Sequence, residues 1–110
     1  MSSKELVGAS TIPIILSVLS EGENYGYAII KQVAEFSGGK LAWSEPMLYP
    51  VLHRLEKQGL ISAQWRIFDN GRKRKYYAIT PEGRAALADK KEEWIDMIQV
   101  MHKLWQLKLT

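Results

Sequence analysis

The sequence contains no cysteine. That excludes a disulfide scaffold, a cysteine-based zinc site, an iron–sulfur cluster and a thiol nucleophile, and it fits a reducing compartment. Histidine is nearly as scarce: His53 and His102 stand far apart, with no metal-ligand spacing. No apolar run approaches the roughly 20 residues that a membrane-spanning helix needs. The longest, residues 12–19, is interrupted by Ser17. No small-x-small cleavage pattern follows it, so no signal peptide and a cytoplasmic location are expected. A phosphate-cradling loop is missing too, since Ser37-Gly38-Gly39-Lys40 lacks the required glycine-lysine spacing. Glu92, Glu93 and Asp96 lie beside Lys90 and Lys91, which reads as a solvated helical face with i, i+4 pairing rather than an acid–base pair. Neither a cofactor nor an enzymatic activity is expected, and there are no repeats or low-complexity segments.

What remains is an ordinary globular composition, 46% apolar and 25% charged over 110 residues. This length suits one domain with a modest core, which a partner subunit would help to cover. The net charge is +3, but it is unevenly spread. Residues 40–77 hold eight basic and three acidic side chains, a net of +5, and the rest of the chain nets −2. A basic middle in a slightly acidic protein points to a local anionic partner.

Turn and cap residues divide the chain into helix, helix, helix, hairpin, long helix. The first helix has two possible starts. Ser10 or Thr11 can cap it with Pro13 in the first turn, or it begins near Lys4 and bends at an internal Pro13. The second spans about residues 25–37, with Gly38 suited to a left-handed C-terminal cap. The third opens at Ser44, a good N-cap, with Glu45 in the first turn, and stops at Gly59. Residues 61–68 and 75–79 read as strands joined by Asp69-Asn70-Gly71, where Asn and Gly tolerate positive φ. The last helix starts with Thr80 as cap and Pro81 as its first residue, and runs nearly to Thr110. The predicted fold is α+β and mostly helical: a winged helix-turn-helix of three helices plus a two-stranded wing, followed by a C-terminal dimerisation helix. Residues 1–80 form the winged-helix DNA-binding domain and 81–110 the dimerisation helix, in one compact unit.

On the third helix, Leu48, Val51, Leu52 and Leu55 share one arc, which docks the helix. Pro46, Pro50, His53, Arg54 and Lys57 fall on the opposite arc, with Tyr49 at its edge. Pro50 removes a backbone hydrogen bond in the second turn, which costs up to about 3 kcal/mol. The cations Arg72-Lys73-Arg74-Lys75 directly follow the hairpin turn, and neighbouring phosphates would relieve their mutual repulsion. In an extended strand alternate members face opposite ways, so two of the four are placed for phosphate. The expected DNA-binding set is Ser44, Met47, Tyr49, Pro50, His53, Arg54, Lys57, Arg72, Lys73, Arg74 and Lys75.

The last helix is apolar over about half its circumference. Trp94, Ile98, Met101 and Trp105 form one stripe; Met97, Val100, Leu104 and Leu107 form the next. Three short helices cannot cover so wide a face, so a homodimer is expected. Within it, Trp94 either packs in the dimer core or, with Met97, Ile98 and Met101, lines a pocket for a planar aromatic effector.

Three segments carry a resemblance. They are Asn24-Tyr25-Gly26-Tyr27, then Leu48-Tyr49-Pro50-Val51-Leu52-His53-Arg54-Leu55-Glu56-Lys57-Gln58-Gly59-Leu60-Ile61, then Arg72-Lys73-Arg74-Lys75-Tyr76-Tyr77-Ala78-Ile79-Thr80-Pro81-Glu82-Gly83. In this order they resemble the PadR family of bacterial transcriptional regulators over about residues 6–87. Pro46-Met47 departs from the small hydroxylated or glycine-containing pair usual before Leu-Tyr in that family. The resemblance implies a homodimeric repressor of double-stranded DNA, similar to the compact subclass with a single C-terminal helix. Some members of that subclass bind flat aromatic compounds between subunits, and Trp94 matches the position of their stacking tryptophan. A MarR-like regulator and a winged-helix protein-interaction module are the alternative readings.

Overall fold

A computed structural model describes residues 4–109, with side chains through Gln106; Leu107 of the second apolar stripe lies outside the described side chains. The chain runs α1 (Lys4–Ser20), β1 (Asn24–Tyr25), α2 (Gly26–Phe36), α3 (Glu45–Lys57), β2 (Ile61–Ile67), β3 (Lys73–Ile79) and α4 (Pro81–Leu109). This is the expected winged helix-turn-helix followed by a long helix.

Of the two possible starts for α1, the longer one is correct: the helix is already formed at Lys4, and Pro13 lies inside it. Proline cannot donate to the carbonyl four residues back, and its ring crowds that turn. In the turn before it the Ser10 and Thr11 hydroxyls both donate to the Val7 carbonyl, at 3.0 and 2.7 Å. Beyond the proline, Ile15, Leu16 and Leu19 are fully buried. With Ile29 and Val33 of α2, Leu48, Leu52 and Leu55 of α3, and Ile61, Tyr77 and Leu87, they make the core.

The end of α3 and the start of α4 are held by one hydroxyl. Thr80 Oγ1 donates to the Gly59 carbonyl at 2.6 Å and accepts the Gly83 N–H at 3.0 Å, which caps α4. Gly59 sits at φ +77° and closes α3, with its N–H on the Glu56 carbonyl and the Leu60 N–H on the Leu55 carbonyl. At the other end of α3, Ser44 Oγ accepts the Met47 N–H at 3.3 Å, the expected N-cap.

The wing differs from expectation in three ways. First, its sheet has three strands in the order β1-β3-β2, because Asn24 and Tyr25 pair antiparallel with Tyr77 and Tyr76. Two residues carry no readable period, so nothing in the local sequence announces this strand. Second, β3 begins at Lys73, so most of the basic run is inside the strand. Third, Asn70 does not take positive φ; only Gly71 does in this turn, at +80°. Asn70 acts through its side chain, whose Oδ1 accepts the Arg72 N–H at 3.0 Å.

Candidate nucleic-acid interface

Register decides which side chains share a face of the wing. Arg66 stands opposite Arg74 and Gln64 opposite Tyr76; on the other face Trp65 stands opposite Lys75 and Ile67 opposite Lys73. The first face is tied together by cations over rings. Arg66 pairs with Glu23 and lies 4.4 Å from the Tyr76 ring centre. Tyr76 meets Tyr25 edge-on at 5.4 Å, and Arg74 lies 4.1 Å over Tyr25 and 5.1 Å from Phe68. Arg74 is therefore half-buried in a structural ladder.

The four consecutive cations thus divide by their partners. Lys75 is half-buried, 3.5 Å from Glu56 of α3 and 5.4 Å from the Tyr77 ring. Arg72 and Lys73 stay exposed at the start of the strand. Alternation of faces does not make this division, because Arg72 and Lys73 are neighbours. It follows from which positions lie over another element.

On α3 the helical projection is followed closely. Leu48, Leu52 and Leu55 are buried, Val51 is half-buried, and Pro46, Pro50, His53, Arg54 and Lys57 are exposed. Ser44 is exposed but occupied as a cap. Met47 is half-buried against the core. Tyr49 packs on the first turn of α2, where a Cβ at Gly26 would come within 2.7 Å of its hydroxyl. Burial, and then the Glu45 carboxylate nearby, raise the Tyr49 pKa above the usual tyrosine value. The glycine in Asn24-Tyr25-Gly26-Tyr27 is what allows this ring to seat.

Between α3 and the wing lies an open cleft of about 810 Å³, lined among others by Tyr49, His53, Trp65, Arg72, Lys73 and Lys75. It brings Glu45, Tyr49 and His53 of α3 together with the basic run; Pro46, Pro50, Arg54 and Lys57 do not line it. Trp65 was not anticipated there. The period-2 pattern of β2 could have found it, since it puts Trp65 on the face it shares with Ile61 and Ala63 but beyond the core.

The second candidate group is separated. Trp94 is half-buried and lines an apolar cleft of about 520 Å³ with Pro13, Ile14 and Val18 of α1, Val33 and Phe36 of α2, and Leu41. Met97, Ile98 and Met101 do not line this cleft; they are exposed further along α4, together with Ile95, Val100, Leu104 and Trp105.

Among the described residues no helix is long and apolar enough to cross a membrane, and no group of acidic or histidine side chains is arranged for a metal ion. The same architecture occurs in solved structures. A transcriptional regulator from Clostridium thermocellum superposes with a TM-score of 0.82 at 35% identity, covering 91% of this chain and 97% of that one. A PadR-like transcriptional regulator from Bacillus cereus gives 0.81 at 29% identity over 94% and 98%. In sequence, an uncharacterized protein of Lysinibacillus sphaericus is 32% identical over 92% of this chain and 93% of its own. The model of the transcriptional regulator PadR-like family matches residues 15–89, which takes in α2, α3, the whole wing and the start of α4. With the Gly26–Tyr49 contact, the shared hydroxyl cap and the basic hairpin all inside that span, the chain belongs to the PadR-like family of transcriptional regulators.

Proposed function

We propose that the protein is a homodimeric repressor that binds double-stranded DNA and is released by a planar aromatic effector. The observation that carries the DNA reading is the cleft that His53 of α3 shares with the exposed wing cations Arg72 and Lys73; Pro50, Arg54 and Lys57 are exposed on the same helix. α3 enters the major groove, and the wing lies on the flanking backbone. Arg72 and Lys73 contact phosphates and set affinity; Arg54, His53 and Pro50 meet base edges and set sequence preference. Tyr49, Met47, Ser44, Arg74 and Lys75 act by holding these groups in place. Residues 1–80 supply this head and 81–110 the dimerisation helix.

The dimer is supported by α4, whose exposed apolar face is too large for a free surface. Two heads related by a two-fold axis read two half-sites. The effector is supported by the Trp94 cleft, whose volume falls in the range of small-molecule pockets, about 300–1,000 Å³. A ring system stacked on this indole beside α1 and α2 would alter the spacing of the heads.

The deciding measurement is anisotropy of a labelled duplex titrated with the protein at low and high salt. Binding that weakens steeply with salt is expected, because each neutralised phosphate releases counterions. No binding at low salt would overturn the reading.

A further inference from the structure

We propose that Trp65 and Ile67 make an apolar contact with the deoxyribose edges of duplex DNA, beside the phosphate contacts of Arg72 and Lys73. The inference rests on the DNA-binding reading above and extends it to two residues that reading leaves unused.

Trp65 is 62% exposed and Ile67 70% exposed. Side chains of this size and apolarity are normally withdrawn from water. Both lie on the face of β2 that carries the buried Ile61 at its other end, so the strand runs its apolar face out past the core. Their cross-strand partners are Lys75 and Lys73. Lys75 reaches toward Glu56 and the Tyr77 ring, and Lys73 is exposed.

Trp65 opens onto the same cleft as His53 of α3, so the two meet the same occupant there. Charge selects that occupant. Arg72, Lys73, Arg74 and Lys75 line the cleft, and Glu45 is the carboxylate there. A second copy of this chain would bring the same positive surface against itself. Duplex DNA supplies both requirements, as its phosphates alternate with the C–H edges of deoxyribose along each groove. Minor-groove proteins already place apolar side chains against DNA, wedged between base steps; contact with the sugar edges alone needs no unstacking. The contact displaces no counterion, so it adds affinity without adding salt dependence.

The test uses the full chain and a labelled random-sequence duplex of about 25 base pairs, long enough for two half-sites. Wild type, Trp65→Gln, Trp65→Phe, Ile67→Gln and Arg72→Ala are titrated across a salt series. Trp65→Gln is expected to weaken binding about tenfold at every salt concentration with the slope unchanged, and Trp65→Phe to recover most of the loss. Ile67→Gln weakens binding in the same salt-independent way, which keeps the test open should the tryptophan variant melt early. Arg72→Ala instead lowers the slope by about 0.9. If wild type binds and both glutamine variants stay within about twofold of it, this contact is refuted while the DNA reading stands. A Trp65→Gln slope that falls like that of Arg72→Ala also refutes it. A Trp65→Gln protein of altered sedimentation mass would make this face a contact between copies and overturn the proposal. Wild type that binds no DNA removes both readings together.

Discussion

Gly83 packs so tightly on Leu60 that a Cβ there would stand 2.0 Å from the Leu60 carbonyl oxygen. The same carbonyl accepts the Thr80 N–H at 3.1 Å, so the strand exit and the first turn of α4 are pressed onto one peptide group. Alanine is ordinarily preferred to glycine in a helix by about 1 kcal/mol. Here the neighbour is backbone and cannot give way. Gly83→Ala is therefore expected to lower the unfolding free energy by about 2–3 kcal/mol. Gly8→Ala, in exposed α1 with nothing within 4 Å, should raise it by about 0.5–1 kcal/mol. Urea unfolding of both variants checks the opposite signs.

The cations of the wing should differ in what their loss does. Arg72→Ala and Lys73→Ala should each lower the salt slope of DNA binding by about 0.9. Lys75→Ala should change the slope less, because its ammonium already has Glu56, and should lower stability by at most about 1 kcal/mol. Equal slopes for all three variants would show that the ion pair opens on DNA.

Tyr77 predicts an alkaline loss of stability. It is buried, and burial, followed by the neighbouring Tyr49 and Glu56, pushes its pKa from 10.0 up to about 12. Between these values the unfolded chain gives up the phenolic proton while the folded protein keeps it. The unfolded state then binds fewer protons, so stability falls as pH rises from 10 toward 12, by about 2 kcal/mol in all. Tyr49, raised in the same direction, adds to the fall. In Tyr77→Phe the step should shrink; chemical unfolding at several alkaline pH values measures it.

Ile98 is 57% exposed in the isolated chain, so a charge there disturbs no intramolecular packing. Ile98→Glu should keep the thermal transition of the subunit but turn a dimer into a monomer by light scattering at micromolar concentration, since an unpaired carboxylate would be buried between subunits. A wild-type monomer would remove the basis for half-site recognition.

Trp94 is half-buried beside a cleft and is outside the buried core cluster. Trp94→Ala should accordingly lower stability by less than the about 3–5 kcal/mol of a core tryptophan. A planar cationic dye such as an acridine should quench the wild-type fluorescence at micromolar concentration, through stacking on the indole face, and should fail to quench the variant. Dye binding retained in Trp94→Ala would move the effector site elsewhere.

Much of the candidate interface was legible because it lies on regular elements. The exposed set Pro46, Pro50, His53, Arg54 and Lys57 follows from 100° per residue alone once Leu48, Leu52 and Leu55 are inward. Ser44, Gly59 and Thr80 mark their element ends through local hydrogen bonds within a few residues. Strand alternation places Trp65 on the face of Ile61 and Ala63, but not whether that end of the strand lies over the core or beyond it. Arg74 could not have been placed, because its ring partners include Tyr25, which is 49 positions away along the chain.

By itself, then, the sequence determined the order of the four helices and the hairpin, the buried arc of α3, the basic hairpin and the wide apolar face of α4. Each of these depends on residues within one or two turns of one another, and a periodic backbone repeats that relation wherever the element sits. Tertiary structure alone decided that Asn24-Tyr25 becomes a third strand, that Tyr49 seats on Gly26, and that Arg72 and Lys73 remain free while Arg74 and Lys75 are engaged. Those outcomes depend on which distant element comes to lie within 3–5 Å of a side chain, and local periodicity holds no information about that distance.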